Sequence, residues 1–348
     1  MVNKSCTAHL GCRSLLTIYA DRIEHNVREL YRFSGKKIIA VIKSNAYGMG
    51  VPQVVPILRE LPYIDSFAVA CAQEGVLLRE MGVKREILIL GGVFPEELPL
   101  VVDYSLTPVI SDVEHLRVIE NEDIHFHVKY DTGMGRLGFL KEVITDPRIT
   151  GVMSHLSSPA DREFSLLQIK LFEDIVSAYP KGIKVHIESS AGVVYRVPFT
   201  THIRVGLALY GEKPLRDYPL NLKPAVELKA RLISVKEVPA GYSVSYSRTF
   251  ITPREMKLGV VAFGYADGLM KSLSNKGYLL YGEARLPILG NITMDMTVVD
   301  MSEVDARVGD WVTVVNEKRS FGELAREAGT IPYEIMCNIS DRVSRQVI

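Results

Sequence analysis

The chain has 348 residues, room for about two domains. Hydrophobic residues make up 47% and charged residues 24%, with Lys+Arg and Asp+Glu both 41. That is the composition of a globular protein with a large core, and a formal charge of zero gives no reason to expect nucleic acid or an anionic membrane as partner. No apolar run approaches the ~18 residues of a spanning helix. The N-terminal apolar stretch Leu15 to Ala20 ends at Asp21-Arg22, too short for a signal sequence. A cytoplasmic location is expected. The four cysteines, Cys6, Cys12, Cys71 and Cys337, are scattered without a C-x-x-C pair and read as reduced thiols.

From Lys37 to Gly211 short apolar runs alternate with amphipathic stretches. The runs are KIIAVIK (37–43), SFAVACA (66–72), EILILGG (86–92), LTPVIS (106–111), IHFHVKYDT (124–132), TGVMSHLSS (150–158), KVHIESS (184–190) and HIRVGLALYG (202–211). Helical patterns lie between several of them, for example at 112–119 and 160–179. β-branched runs separated by helices indicate βα units and a parallel sheet, and eight such units close into a (β/α)8 TIM-like barrel. An open doubly wound sheet is the alternative. A proline-rich segment, KPLRDYPLNLKP (213–224), reads as a linker. Beyond it, 226–238, 258–266, 277–290 and 311–316 are strand-like, and SFGELAREAG (320–329) is helical, with Ser320 and Glu323 forming a capping box. The expected class is α/β, with a barrel over 16–221 and a mainly β C-terminal domain over 222–348. Residues 1–15 are expected to pack on the latter.

Several segments carry possible chemistry. In Val41-Ile-Lys43-Ser-Asn-Ala-Tyr47-Gly-Met-Gly50 an apolar run ends in a lysine and opens into a glycine-rich turn. Barrel active sites gather at the C-terminal strand ends, and burial lowers a lysine's pKa, which suits a nucleophile or Schiff-base former. A lysine snorkelling from a strand end is the plainer alternative. In 124–131, Ile124, Phe126, Val128 and Tyr130 alternate with His125, His127, Lys129 and Asp131. One strand face is therefore apolar toward the helices, and the other polar toward the barrel interior. Two histidines at i and i+2 could bind a metal, but no further ligand motif accompanies them, and no metal is expected. SSAG (189–192) follows the seventh run and Gly206-Leu207 lie on the eighth, where barrels often bind phosphate, although ordinary turn chemistry is the default reading of so small a motif.

VIKSNAYGMG resembles the pyridoxal-phosphate lysine motif of the alanine racemase family. IHFHVKYDTGMGRLGF (124–139), MSHLSS (153–158), HIESSAG (186–192), RVGLALYG (204–211), VSYSRTF (244–250), FGYADG (263–268), GNITMDM (290–296) and CNISDRVSR (337–345) follow the same family in its order. The resemblance spans about Thr17 to Arg345. It implies a PLP-dependent racemase that interconverts L- and D-alanine by two acid/base groups, Lys43 and Tyr246, on opposite faces of the substrate–cofactor adduct. Two groups are the economical solution, because a single fixed base tends to return the proton to the face it left. A free tyrosine has a pKa near 10, so a cation must support the phenolate; His155 is the matched candidate, with Arg204 behind it. Without the family, Tyr246 reads as a half-buried structural tyrosine, and for Arg204 an interdomain ion pair stands level with the functional role.

The resemblance further implies that Arg204 faces the pyridine nitrogen. A guanidinium can only donate, so that nitrogen stays unprotonated and the electron sink is weakened. Ser190, Gly206, Leu207 and Tyr47 are implied phosphate ligands. Arg136 is implied to hold the substrate carboxylate, positioned by Lys129, which is carbamylated in several relatives; a carbamate between two buried cations makes electrostatic sense. Tyr246 and Met294 reach the site from the second subunit in the family, so a homodimer with shared sites is expected. The sequence departs from the family pattern at Asp341, where a tyrosine is usual, and at Met49, Asn291 and Lys271. A carboxylate at 341 would be repelled by a phosphate unless it turns away or pairs with Arg342 or Lys271, and the pocket would be roomier and more polar. Serine or a broader set of amino acids is therefore an alternative substrate. A PLP-dependent decarboxylase would carry a cysteine-bearing segment in the β domain, which is not found. A non-catalytic PLP-binding protein would match the first half alone.

Overall fold

The computed structural model describes residues 11–348. Residues 1–10, which include Cys6 and most of the segment expected to pack on the β domain, lie outside the described residues. By contacts the chain forms two compact units: 23–46 with 54–223, and the remainder. Residues 16–22 and 47–53 thus group with the C-terminal segment.

After β1 (Ser14–Ile18) and α1 (Ala20–Ser34) the eight runs become eight strands: β2 (Lys37–Val41), β3 (Ile64–Val69), β4 (Glu86–Ile89), β5 (Thr107–Ile110), β6 (Phe126–Lys129), β7 (Ile149–Met153), β8 (Lys184–His186) and β9 (His202–Val205). Between them come α2 (Lys43–Tyr47), α3 (Val51–Arg59), α4 (Ala72–Glu80), α5 (Leu98–Asp103), α6 (Val113–Val118) and α7 (Arg162–Val176). From β2 to β8 consecutive strands pair in parallel, and β2 also pairs in parallel with β9. An open doubly wound sheet would reverse its strand order; this one does not. The last seam, between β8 and β9, is bridged by Thr201 N–H to Val185 O and Arg204 N–H to Glu188 O, both 2.8 Å. The result is a nearly closed barrel.

The strands are continuous apolar runs because both of their faces are covered. Ile38, Ile39, Ala40, Phe67, Ala68, Val69, Ile87, Leu88 and Ile89 are fully buried. β6 follows the expected alternation: Phe126 and Val128 are buried apolar residues, while His127 reaches His186 across the barrel.

The second unit is mainly β. It contains β10 (Val226–Val238), β11 (Ser243–Val244), β12 (Phe250–Ile251), β13 (Met256–Val261), β14 (Tyr278–Tyr281), β15 (Ala284–Pro287), β16 (Thr297–Asp300), β17 (Trp311–Val315) and β18 (Ser344–Val347), with α8 (Phe321–Ala328) and α9 (Pro332–Cys337). β10 is the spine: it pairs antiparallel with β1, β13 and β17. Its Val226, Leu228, Ala230 and Leu232 are buried in strict alternation, one face to the core. β1 lies between β10 and β18, antiparallel to the first and parallel to the second. The capping box of α8 is present: Glu323 N–H donates to Ser320 Oγ at 3.1 Å, and Ser320 N–H to Glu323 Oε2 at 3.3 Å.

Candidate active site

Lys43 is half-buried just past the end of β2. The next residues are unusual. Ser44, Asn45 and Ala46 have φ of 54, 52 and 55° and Tyr47 has φ 59°, a single left-handed turn. Each non-glycine residue there costs roughly 1–2 kcal/mol, so the surroundings must impose it. Ser44 N–H donates to Glu74 Oε1 at 2.6 Å, Ala46 N–H to Ile42 O at 2.9 Å, and Tyr210 Oη–H to Ala46 O at 2.8 Å. The turn stops the strand abruptly at the lysine. Gly48 follows with φ 75°, and a Cβ there would lie 2.0 Å from Met336 O, so no other residue fits.

Lys43, Lys129, His155, Ser190 and Gly206 all stand at or just past the C-terminal ends of barrel strands, the end at which such barrels react. Arg204 organises the group. Its Nη1 donates to His186 Nδ1 at 2.7 Å and His186 O at 2.9 Å; its Nη2 donates to Ser154 O at 2.7 Å and His155 Nδ1 at 3.0 Å. Four of five guanidinium donors thereby have acceptors, and Nε–H is the one left for a ligand. Burial pushes Arg204 down to about 9, still above neutral pH, so it remains a cation.

His155 is pushed down to about 3, first by burial and then by Arg204, Arg136, Lys129 and Lys43. This corrects the expectation that His155 supplies positive charge. It is neutral, accepts at Nδ1 and offers Nε2–H; the charge behind it belongs to Arg204. Lys129 is 6% exposed and lowered to about 8, by burial and then by Arg204 and Arg136, with Lys43 adding to them. Four cations are therefore close enough to feel one another. Arg136 is on the exposed side of this group rather than buried. Its loop is shaped by Asp131, whose carboxylate accepts from the N–H groups of Gly133, Met134 and Arg136 at 2.7–2.9 Å.

The buried Ser190 hydroxyl accepts from Gly206 N–H at 3.1 Å and Ala208 N–H at 3.3 Å, while Tyr218 Oη–H donates to Ser190 O at 2.7 Å. Ser190, Gly206 and Leu207 thus meet in one small corner after β8 and β9, the place where such barrels often bind phosphate. Tyr47 groups with the β-rich unit, where its ring lies 5.9 Å from that of Tyr333 and burial raises its phenol.

In the β-rich unit Tyr246 is 72% exposed. It is carried on a tight loop in which Ser245, Ser247 and Arg248 all have φ between 51 and 62°. Asn291, one of the departures from the family pattern, braces it: Asn291 Nδ2 donates to Tyr246 O at 2.9 Å, and Ser245 Oγ donates to Asn291 O at 2.5 Å. Met294 is 53% exposed on a neighbouring loop of the same unit; its carbonyl accepts from Ala266 N–H at 3.0 Å. The Asp341 side chain is 93% exposed, with Arg345 3.8 Å away. It pairs with neither Arg342 nor Lys271; Arg342 instead holds Asp295 at 2.8 Å and Asp267 at 3.4 Å.

Residues 18–214 match the family model of the alanine racemase N-terminal domain, and residues 225–347 that of the alanine racemase C-terminal domain. The chain belongs to the alanine racemase family. It is 68% identical to an alanine racemase of Aquifex aeolicus, over 97% of this chain and 99% of that protein. It is 66% identical to one from Aquifex pyrophilus, over 97% and 98%. Among solved structures, an alanine racemase of Bartonella henselae with covalently bound pyridoxal phosphate superposes with a TM-score of 0.89 at 28% identity, covering 97% of this chain and all of that one. The alanine racemase of E. faecalis gives 0.89 at 30% identity, covering 97% and 98%.

Sequence reasoning passed over three side chains that lie in line behind Arg204. His186 stood in a quoted motif but had no role; Glu86 was the unremarked first residue of a run; His127 was weighed as a metal ligand alone. His125, its supposed partner, is exposed. Among the described residues no group of three or more metal-ligating side chains is placed to hold an ion, and no disulfide joins Cys12, Cys71 and Cys337. Inward position on strands six and eight was the signal available for the histidines.

Proposed function

We propose that this protein interconverts L- and D-alanine with pyridoxal phosphate, using Lys43 and Tyr246 as its two proton-transfer groups. The carrying observation is Arg204: a buried guanidinium with one donor left over, at the strand-end cluster that includes Lys43. An unprotonated pyridine nitrogen is the complement of such a donor. The corner of Ser190, Gly206 and Leu207 suits the phosphate, and Tyr47 would add a phenolic donor. Bound through an amine, the cofactor supplies the electron sink that acidifies the α-C–H bond of an amino acid. Lys43 Nζ gives and takes a proton at one face of that carbon, and Tyr246 Oη at the other. His155 donates through Nε2–H toward the phenolate side, with Arg204 behind it as the charge. Arg136 binds the substrate carboxylate.

Lys129 is a buried amine lowered to about 8, so a usable fraction is neutral near physiological pH. That neutral amine has already given up one proton; its attack on CO2 releases a second and gives a carbamate, so a cation among cations becomes an anion between Arg136 and Arg204. Intact mass under CO2 checks this.

The barrel segment 16–221 carries the lysine and the segment 222–348 carries the tyrosine. Both Tyr246 and Met294 are exposed, as expected of side chains delivered to a second copy, so a homodimer with shared sites is the working assembly. The cytoplasm, where alanine and the cofactor are available, is its location. Among the described residues no helix is long and apolar enough to cross a membrane. Asp341 favours serine as a second substrate: a small carboxylate turned to solvent replaces a tyrosine beside the substrate side chain.

The test is α-proton exchange in deuterated water, followed separately from L- and D-alanine and L-serine. Lys43→Ala should lose the imine absorbance and exchange from both hands. Tyr246→Phe should keep the absorbance, keep exchange from one hand and lose most interconversion. Full racemase activity in Tyr246→Phe would end the two-group assignment. Loss of CO2 from lysine or ornithine would instead indicate a decarboxylase.

A further inference from the structure

The polar interior of the barrel does not stop at Arg204. His186 Nε2 lies 2.9 Å from His127 Nδ1, and His127 Nε2 lies 3.5 Å from Glu86 Oε1. Glu86 Oε2 takes Lys184 Nζ at 2.8 Å and Ser66 Oγ at 3.1 Å. Lys184 continues to Asp65 at 2.5 Å, and His202 Nε2 lies 3.3 Å from Asp65. Both His127 and His186 are wholly buried. Polar side chains therefore line the interior from the reacting end of the barrel to its opposite end, hydrogen-bonded as far as Asp65 except at the 3.5 Å step from His127 Nε2 to Glu86, where the ring makes no hydrogen bond and the two groups meet at ion-pair distance.

Proton bookkeeping gives this chain a direction. Arg204 has donors and no acceptor, so His186 Nδ1 must present a lone pair. Burial holds His186 well below its ordinary value, hence neutral, and its single proton sits on Nε2. That N–H faces His127 Nδ1, which must accept. Burial also holds His127 down, so its proton sits on Nε2 and faces the Glu86 carboxylate. Only an ionised carboxylate closes the order without a donor meeting a donor. Glu86 is kept below the usual carboxylate range, although burial opposes it, by His127 and Lys184. The fold also reserves space for the relay: a Cβ on Gly151, the cross-strand neighbour of His127, would lie 2.4 Å from that imidazole.

Building on the proposed function, we infer that Glu86 and His127 are positioning residues for Arg204, acting through His186 to fix the proton order that keeps its guanidinium charged and aimed. Neither touches substrate or cofactor. If the order is reversed, His186 presents Nδ1–H to Nη1–H, and the guanidinium must turn.

The test reads the ring nitrogens directly, by long-range proton–nitrogen correlation on the full-length holoenzyme labelled at histidine. His127 and His186 should each show a bare Nδ1 and a protonated Nε2. Either ring in the other tautomer overturns the inference, whatever the enzyme's activity, so its failure is separate from failure of the racemase reading. Glu86→Gln places an amide where His127 needs a pure acceptor; it should perturb both ring patterns and lower kcat about tenfold or more, as loss of an orienting outer partner does, with a smaller change in KM. His127→Leu should behave likewise, and His127→Asn, whose Oδ1 replaces the Nδ1 acceptor, should recover most of the loss. Unchanged ring patterns and kcat in Glu86→Gln would overturn the inference even if His127→Leu failed to fold.

Discussion

Lys129 has its amine in a cluster with Arg204, Arg136 and Lys43, and burial is the largest reason its pKa falls to about 8. The sign of the consequence is fixed. Below about 8 the folded state carries a buried cation that the unfolded chain hydrates freely, so the protein is penalised. Between about 8 and the unfolded value of 10.5 the unfolded state binds more protons, and stability rises with pH. In CO2-free buffer Lys129→Met should therefore be more stable than the parent at neutral pH, and that advantage should shrink as pH climbs through this window. Urea unfolding at a series of pH values checks it; an advantage independent of pH would contradict it. The polar face of β6 was legible in the sequence because period-two alternation survives in a half-polar strand. The partners of that face were not. Glu86 lies 41 positions before His127 and His186 lies 59 after, and only strand register brings them together. The neutrality of His155 was equally out of reach, because it depends on the summed field of side chains from several strands.

At the level of elements, most barrel strands were legible because fully buried parallel strands are near-continuous apolar runs, each closed by a turn. The capping box of α8 was legible for a different reason: its residues sit three apart and satisfy one another locally. Ser320→Ala should cost about 1 kcal/mol, read as a lower urea midpoint with an unchanged slope; no shift would mean the cap adds nothing. The turn after Lys43 was not legible. Ser-Asn-Ala-Tyr carries no glycine to announce a left-handed path, and Glu74, Ile42 and Tyr210 impose it from outside. β1, β16, β18 and α9 also went unread. They are 4–6 residues long, and β1 finds its partners more than 200 positions away in β10 and β18.

At the scale of the whole molecule, the proposed shared site takes a lysine from one copy and a tyrosine from another to act on one carbon. Tyr246 and Met294, the two side chains that the proposed shared site takes from the second copy, are presented to solvent on neighbouring loops. The most direct test is complementation between two variants that are each inactive, Lys43→Ala and Tyr246→Phe, unfolded and refolded together in equal amounts with the cofactor. A mixed dimer then holds one site with both wild-type groups and one with neither. With random pairing about a quarter of the parent racemase activity should return. Activity no greater than the sum of the two separate variants, in a preparation shown to contain mixed dimers, would contradict the account.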